Sequence, residues 1–151
     1  MKKSIPNTEA LKIIEESIKA GNSVRLAVRG SSMSPRLLDG TDIVTLHPFA
    51  PENLKSGDVI LFRYRGAFLL HRIIGIKSSN SPDGIITTKG DALDQTEIIG
   101  YSDVVALAEL PEIGLLKLTG RRVRILLSRM GIRIKRYLNI NHITINNETN
   151  T

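Results

Sequence analysis

The sequence predicts a mainly β fold (α+β) of short strands, with one helix at the N-terminal end and a basic one at the C-terminal end. Six short apolar runs are set apart by turns rich in Gly, Pro, Asn and Asp, the pattern of a meandering sheet. Helical spacing of apolar residues appears only near the two ends. At 151 residues, 41% hydrophobic and 24% charged, the chain suits one domain with one core and is not disordered by composition.

The first element is a helix from Thr8 to Ala20. Asn7 or Thr8 can cap it, Leu11, Ile14 and Ile18 share a face, and Gly21 stops it. A strand follows over Val24–Arg29, with Val24, Leu26 and Val28 on one side. It runs into Gly30-Ser31-Ser32-Met33-Ser34-Pro35, where Gly30 permits a sharp turn and Pro35 forbids a regular ladder. Such a turn can hold a hydroxyl at the rim of a sheet.

Asp42–Leu46 reads as a short strand, broken by His47-Pro48-Phe49-Ala50-Pro51. Lys55-Ser56-Gly57-Asp58 turns into an apolar strand over Val59–Tyr64. Arg65-Gly66 joins it to a strand over Ala67–Ile76, so the two form a hairpin with His71 in its second arm. A polar loop spans Ser78–Gly84, Ile85–Lys89 is another strand, and Gly90-Asp91-Ala92-Leu93-Asp94 is a turn carrying two carboxylates. Tyr101–Leu110 closes the sheet.

The late helix is read over about Gly120–Leu138, where Val123, Leu126, Leu127, Met130, Ile134 and Tyr137 form one apolar stripe. Eight basic residues (Lys117, Arg121, Arg122, Arg124, Arg129, Arg133, Lys135, Arg136) crowd this segment with no acid among them. The net charge is +6, so the rest of the chain is slightly acidic. The expected organisation is an N-terminal helix over 1–22, a β domain over 23–112, a basic amphipathic segment over 113–138 and a flexible tail over 139–151.

Several function classes fall away. Cysteine is absent, which removes thiolate catalysis, disulfides and cysteine-ligated zinc. His47, His71 and His142 lie far apart with no paired ligand spacing, so no metal or other cofactor is expected. Aromatic residues make up 4% with no Trp, which argues against a stacking platform for nucleic acid. No apolar run approaches the roughly 20 residues that span a bilayer. Met1-Lys2-Lys3-Ser4 opens like a secretory signal, but Pro6, Asn7 and Glu9 follow in place of an apolar stretch.

Four motifs occur in order: Ser32-Met33-x-Pro35, Ser56-Gly57-Asp58-Val59-Ile60-Leu61-Phe62, Leu70-His71-Arg72-Ile73-Ile74 and Thr88-Lys89-Gly90-Asp91. Together they resemble the signal peptidase I-like serine peptidases, closest to the endoplasmic-reticulum and archaeal type with a Ser-His site. The resemblance covers roughly residues 24–110. It implies Ser32 as nucleophile and His71 as general base, at the place of the lysine in the bacterial type. A serine hydroxyl needs such a base within reach, and an imidazole, with a reference pKa of about 6.5, can take the proton and return it. Asp94 is the better positional match for the third member, with Asp91 as the alternative acid. The backbone N–H of Ser32 is the natural oxyanion donor, Ser31 and Ser34 are candidates for a second, and Met33 and Pro35 would shape the substrate cleft.

The resemblance implies a serine endopeptidase that cleaves a leader or precursor peptide bound as an added strand. Two other readings remain open, a catalytically inactive peptide-binding module and a self-cleaving-repressor-like regulatory domain. Peptide or precursor-protein substrates are the expected partners, with peripheral contact of the basic helix at a membrane surface and no nucleic acid. The expected location is cytoplasmic, or peripheral on the inner face of the membrane.

Overall fold

A computed structural model describes residues 7–77 and 83–112. The expected basic helix over 113–138 and the tail over 139–151 lie outside the described residues. Helix α1 is Asn7–Lys19. It ends where Gly21 takes φ +85°, with Asn22 N–H donating to Ser17 O (3.0 Å) and Gly21 N–H to Ile18 O (2.9 Å). That pair of bonds is a Schellman closure, which favours glycine at the left-handed position. Ile14 and Ile18 on its inner face are buried.

Seven strands follow: β1 Val24–Ala27, β2 Ile43–His47, β3 Val59–Tyr64, β4 Ala67–Lys77, β5 Ile85–Lys89, β6 Thr96–Gly100 and β7 Val104–Glu109. They form one antiparallel sheet in the order β1-β2-β7-β3-β4-β5-β6. The domain is therefore mainly β, with one α-helix among the described residues.

β3 lies at the centre, and Val59, Ile60, Leu61 and Phe62 are all buried. Successive side chains point to opposite faces, so β3 feeds two hydrophobic clusters. Val59 and Leu61 join Ile14, Ile18, Met33, Leu37 and Val44 on one side. Ile60 and Phe62 join Leu54, Ile73, Ile86 and Ile99 on the other. Each fully buried side chain of this size contributes on the order of 1.5–3 kcal/mol. The β3–β4 hairpin closes through Arg65 (φ 49°) and Gly66 (φ 79°), the two left-handed residues of a tight two-residue turn.

Apart from shifts of one residue at several ends, three features differ from the sequence reading. β1 stops at Ala27, because Val28 already bonds to the turn after it: Val28 N–H donates to Asp42 O and Gly40 N–H donates to Val28 O. The run expected as a strand from Tyr101 opens with a 3-10 turn over Tyr101–Asp103 before β7 begins. And Thr96–Gly100, which the sequence reading passed over, is strand β6, paired with β5 along its length.

Two stretches of strand beside the Ser32 loop have a free edge. β1 is an outermost strand, hydrogen-bonded only to β2. The first half of β4, Ala67 to His71, pairs with β3 alone, since β5 joins only from Arg72 onward.

Candidate active site

Ser32 sits in a loop held by its own turns. Gly30 takes φ +84° and gives its N–H to Asp39 Oδ1 (3.2 Å). Ser34 N–H donates to Ser31 O and Leu37 N–H donates to Met33 O. Met33 and Leu37 are buried in the core and pin the loop from beneath. Ser32 is left half-buried at the rim. Its carbonyl accepts from Ala92 N–H at 2.7 Å, which ties this loop to the turn after β5. Its own N–H has no hydrogen-bond acceptor among the described residues, and so can serve an oxyanion.

His71 is 3% exposed. Phe62, on the neighbouring strand β3, packs its ring edge-on at 6.0 Å between centroids. Nδ1 of His71 lies 2.9 Å from Glu97 Oε2, and Thr88 Oγ1 donates to the same carboxylate oxygen at 2.9 Å. Thr88 and Glu97 stand directly opposite in the β5–β6 register, which explains the second contact. A buried carboxylate is costly unless hydrogen-bonded, and here two donors meet it. With Nδ1–H given to Glu97, the imidazole presents Nε2 as the acceptor.

Nε2 and the Ser32 loop meet at Gly90. A Cβ built there would stand 2.8 Å from Ser32 O and 3.1 Å from His71 Nε2. Only glycine lets the turn pass so close to both. Ser32 and His71 line one cleft of about 80 Å³, together with Val28, Arg29, Met33 and Phe68. No hydrogen bond joins the Ser32 hydroxyl to Nε2 among the described residues; such contacts commonly tighten only when substrate is bound.

The carboxylate against His71 is thus neither Asp94 nor Asp91. Asp94 is exposed on its turn. Asp91 is engaged by Arg72, whose Nε and Nη2 each donate to it at 2.8 Å while Nη1 donates to Gly57 O. Those hydrogen bonds hold the Arg72 guanidinium above its ordinary pKa despite partial burial. Met33 lines the cleft, whereas Pro35 is half-buried away from its lining. Ser34 Oγ points to Leu37 O, and Ser31 is exposed.

No protein-family model and no curated protein matches the chain.

Glu97 escaped the sequence reading because its strand did. A signal was present: in Thr96-Glu97-Ile98-Ile99-Gly100 the buried residues are Glu97 and Ile99. A carboxylate in the inward phase of a strand must be answered by a donor, and His71 is a natural one. Among the described residues there is no cluster of three or more metal-ligating side chains, and no helix is long and apolar enough to cross a membrane.

Proposed function

We propose that the protein is a serine endopeptidase of the signal peptidase I-like kind, with Ser32 as nucleophile, His71 as general base and Glu97 in the acid position. The observation that carries this reading is the buried Glu97–His71 pair, whose second ring nitrogen is free beside the cleft that Ser32 lines. Ser32 Oγ attacks the peptide carbonyl carbon and its proton passes to Nε2. Glu97 fixes the tautomer and stabilises the imidazolium. The Ser32 N–H donates to the oxyanion. The C–N bond then breaks with return of the proton to the amine, and water hydrolyses the acyl-enzyme through the same nitrogen.

The peptide lies extended between the free edges of β1 and β4, since β4 and the extension of β1 line the cleft. The cavity at Ser32 is small, about 80 Å³, which suits a small side chain beside the cut. A second cavity of about 200 Å³ continues from it between α1, β1 and β4, walled by Leu11, Ile14, Leu26, Phe68 and Leu70. It exceeds the ~150 Å³ apolar cavity known to hold benzene, and suits a larger apolar residue. Leader or precursor peptides are the substrate class this supports.

The test is labelling by a fluorophosphonate followed by peptide mapping. Adduct on Ser32, lost in Ser32→Ala and His71→Ala, is the expected result. Equal labelling in His71→Ala would remove the mechanism.

A further inference from the structure

Six arginines fall among the described residues, and four are engaged. Arg36 donates to Pro111 O, Arg63 pairs with Glu15, Arg65 lies over the Tyr64 ring and Arg72 holds Asp91. Arg25 and Arg29 have no hydrogen-bond, ion-pair or ring partner among these residues, and both are exposed. The nearby Asp39 spends Oδ1 on Gly30 N–H and makes no ion pair with Arg29. Both unengaged arginines belong to one stretch, the edge strand β1 and its extension into the Ser32 loop.

Their placement is not random along that stretch. Exposure alternates through Arg25, Leu26, Ala27, Val28 and Arg29, so the two arginines stand on one face and Leu26 and Val28 on the other. Leu26 and Val28 wall the apolar cavity, and Arg29 lines both cavities. A peptide laid beside β1 shares this alternation, because neighbouring residues across a ladder point to the same face. Its apolar side chains enter the cavities while every second residue faces the arginines, which stand about 13 Å apart along an extended strand.

We infer that Arg25 and Arg29 select an acidic peptide, one carrying carboxylates on the solvent face, four residues apart, and apolar side chains on the alternate face. This rests on the peptidase reading for the position of the peptide and adds the substrate's charge. Arg29 at the cleft and Arg25 further along the same edge act as specificity-determining residues, where complementary charge sets partner choice and the salt dependence of encounter.

The test uses the full chain with Ser32→Ala, so that bound peptides stay intact, and three extended peptides bearing a neutral dye. They are identical except for Glu, Gln or Lys at two positions four apart. Fluorescence anisotropy should rank Glu above Gln above Lys, with Glu about three- to tenfold tighter than Gln, the range set by two exposed pairs. That preference should shrink as salt rises. Arg25→Gln/Arg29→Gln should bring the Glu-to-Gln ratio to about one, and Arg25→Glu/Arg29→Glu should turn the preference towards Lys. Equal binding of the three, no binding of any, or a Glu preference that survives the double Gln variant would each overturn the inference. Cleavage by the Ser32 protein is the separate arm. Selective binding of the Glu peptide without cleavage would leave the arginine assignment standing and defeat the peptidase reading. Cleavage indifferent to charge would do the reverse.

Discussion

The described residues contain two groupings of the same composition, each a serine, a histidine and a glutamate. Ser32, His71 and Glu97 gather at the cleft. Ser23, His47 and Glu109 gather elsewhere on the sheet, where Ser23 Oγ lies 2.7 Å from His47 Nδ1 and Glu109 Oε2 lies 2.7 Å from Nε2. By distance alone the second is the tighter set. It differs in everything else. Both His47 nitrogens are occupied, Glu109 is 71% exposed, and none of the three lines the cleft at Ser32. At His71 the carboxylate is buried, one nitrogen is open, and a cavity faces it. Hydrogen-bonded composition therefore does not separate the two groupings. Burial of the acid, which strengthens its hold on the ring, and an unoccupied nitrogen beside a cavity do, and on the proposed reading these are what catalysis requires.

The largest expected contrast is in peptide cleavage. Ser32→Ala and His71→Ala should each lower turnover by at least about 10³-fold, with the double variant little worse, as for residues that act as one unit. Ser23→Ala and His47→Ala should leave it within twofold. Loss of turnover in the Ser23 variant alone would reverse the comparison. His71→Ala should also cost stability, about 1–3 kcal/mol, because Glu97 is left buried with Thr88 as its remaining partner. Denaturant midpoints would show it, and His47→Ala should stay within about 0.5 kcal/mol of wild type.

Next in size is the carboxylate. Glu97→Gln keeps the shape but can no longer hold the ring tautomer or stabilise an imidazolium, so turnover should fall by about 10²–10⁴-fold. Glu109→Gln should have no measurable effect. A Glu97→Gln enzyme of full activity, beside an inactive Asp94→Asn one, would return the acid to the turn. Gly90→Ala sharpens the geometry from another side. Its methyl would press on Ser32 O and His71 Nε2, and the backbone carbonyl cannot swing aside. Turnover should drop with little change in the affinity of peptide for the Ser32→Ala background.

The smallest effect lies away from both groupings. Hydrogen bonding from Lys19, then contact with Arg63, holds the Glu15 carboxyl below its usual pKa, against an opposing effect of burial. A depressed folded-state pKa adds stability that is complete above the unfolded value, about 4.3, and is lost as pH falls through the folded one. Glu15→Gln should therefore narrow the stability gap to wild type on going from pH 7 to pH 3, without altering turnover at pH 7. A gap that widens in acid would contradict the assignment.

Most of the sheet was legible because its strands follow simple rules. Val59–Tyr64 and Ile85–Lys89 have the predicted bounds, and Arg65-Gly66 announced the hairpin. What escaped was β6, and with it Glu97. Its five residues follow a six-residue polar turn, and their inward positions are one glutamate and one isoleucine, so the apolar alternation that marks a strand is interrupted by the residue that matters. Asp94 looked better placed because, with a short deletion assumed, it matches by position the acid of the family that the motifs resemble. The partner of a buried imidazole is set by cross-strand register, Thr88 opposite Glu97, and register is a long-range property that spacing along the chain does not carry. Arg25 of β1 and Arg29 just beyond it were legible as residues but not as unengaged ones, for the same reason.

Glu97 belongs to β6, the outermost strand on its side of the sheet, held by β5 alone. Edge elements open at lower free energy than the centre of a sheet. The ring of His71 is anchored deep beside Phe62, yet the group that orients it rides on a strand that can peel away while β3 and β4 stay folded. Amide exchange along Thr96–Gly100 should then lose its protection at a denaturant concentration where the β3 amides keep theirs, and turnover should vanish with the first of these and not the second.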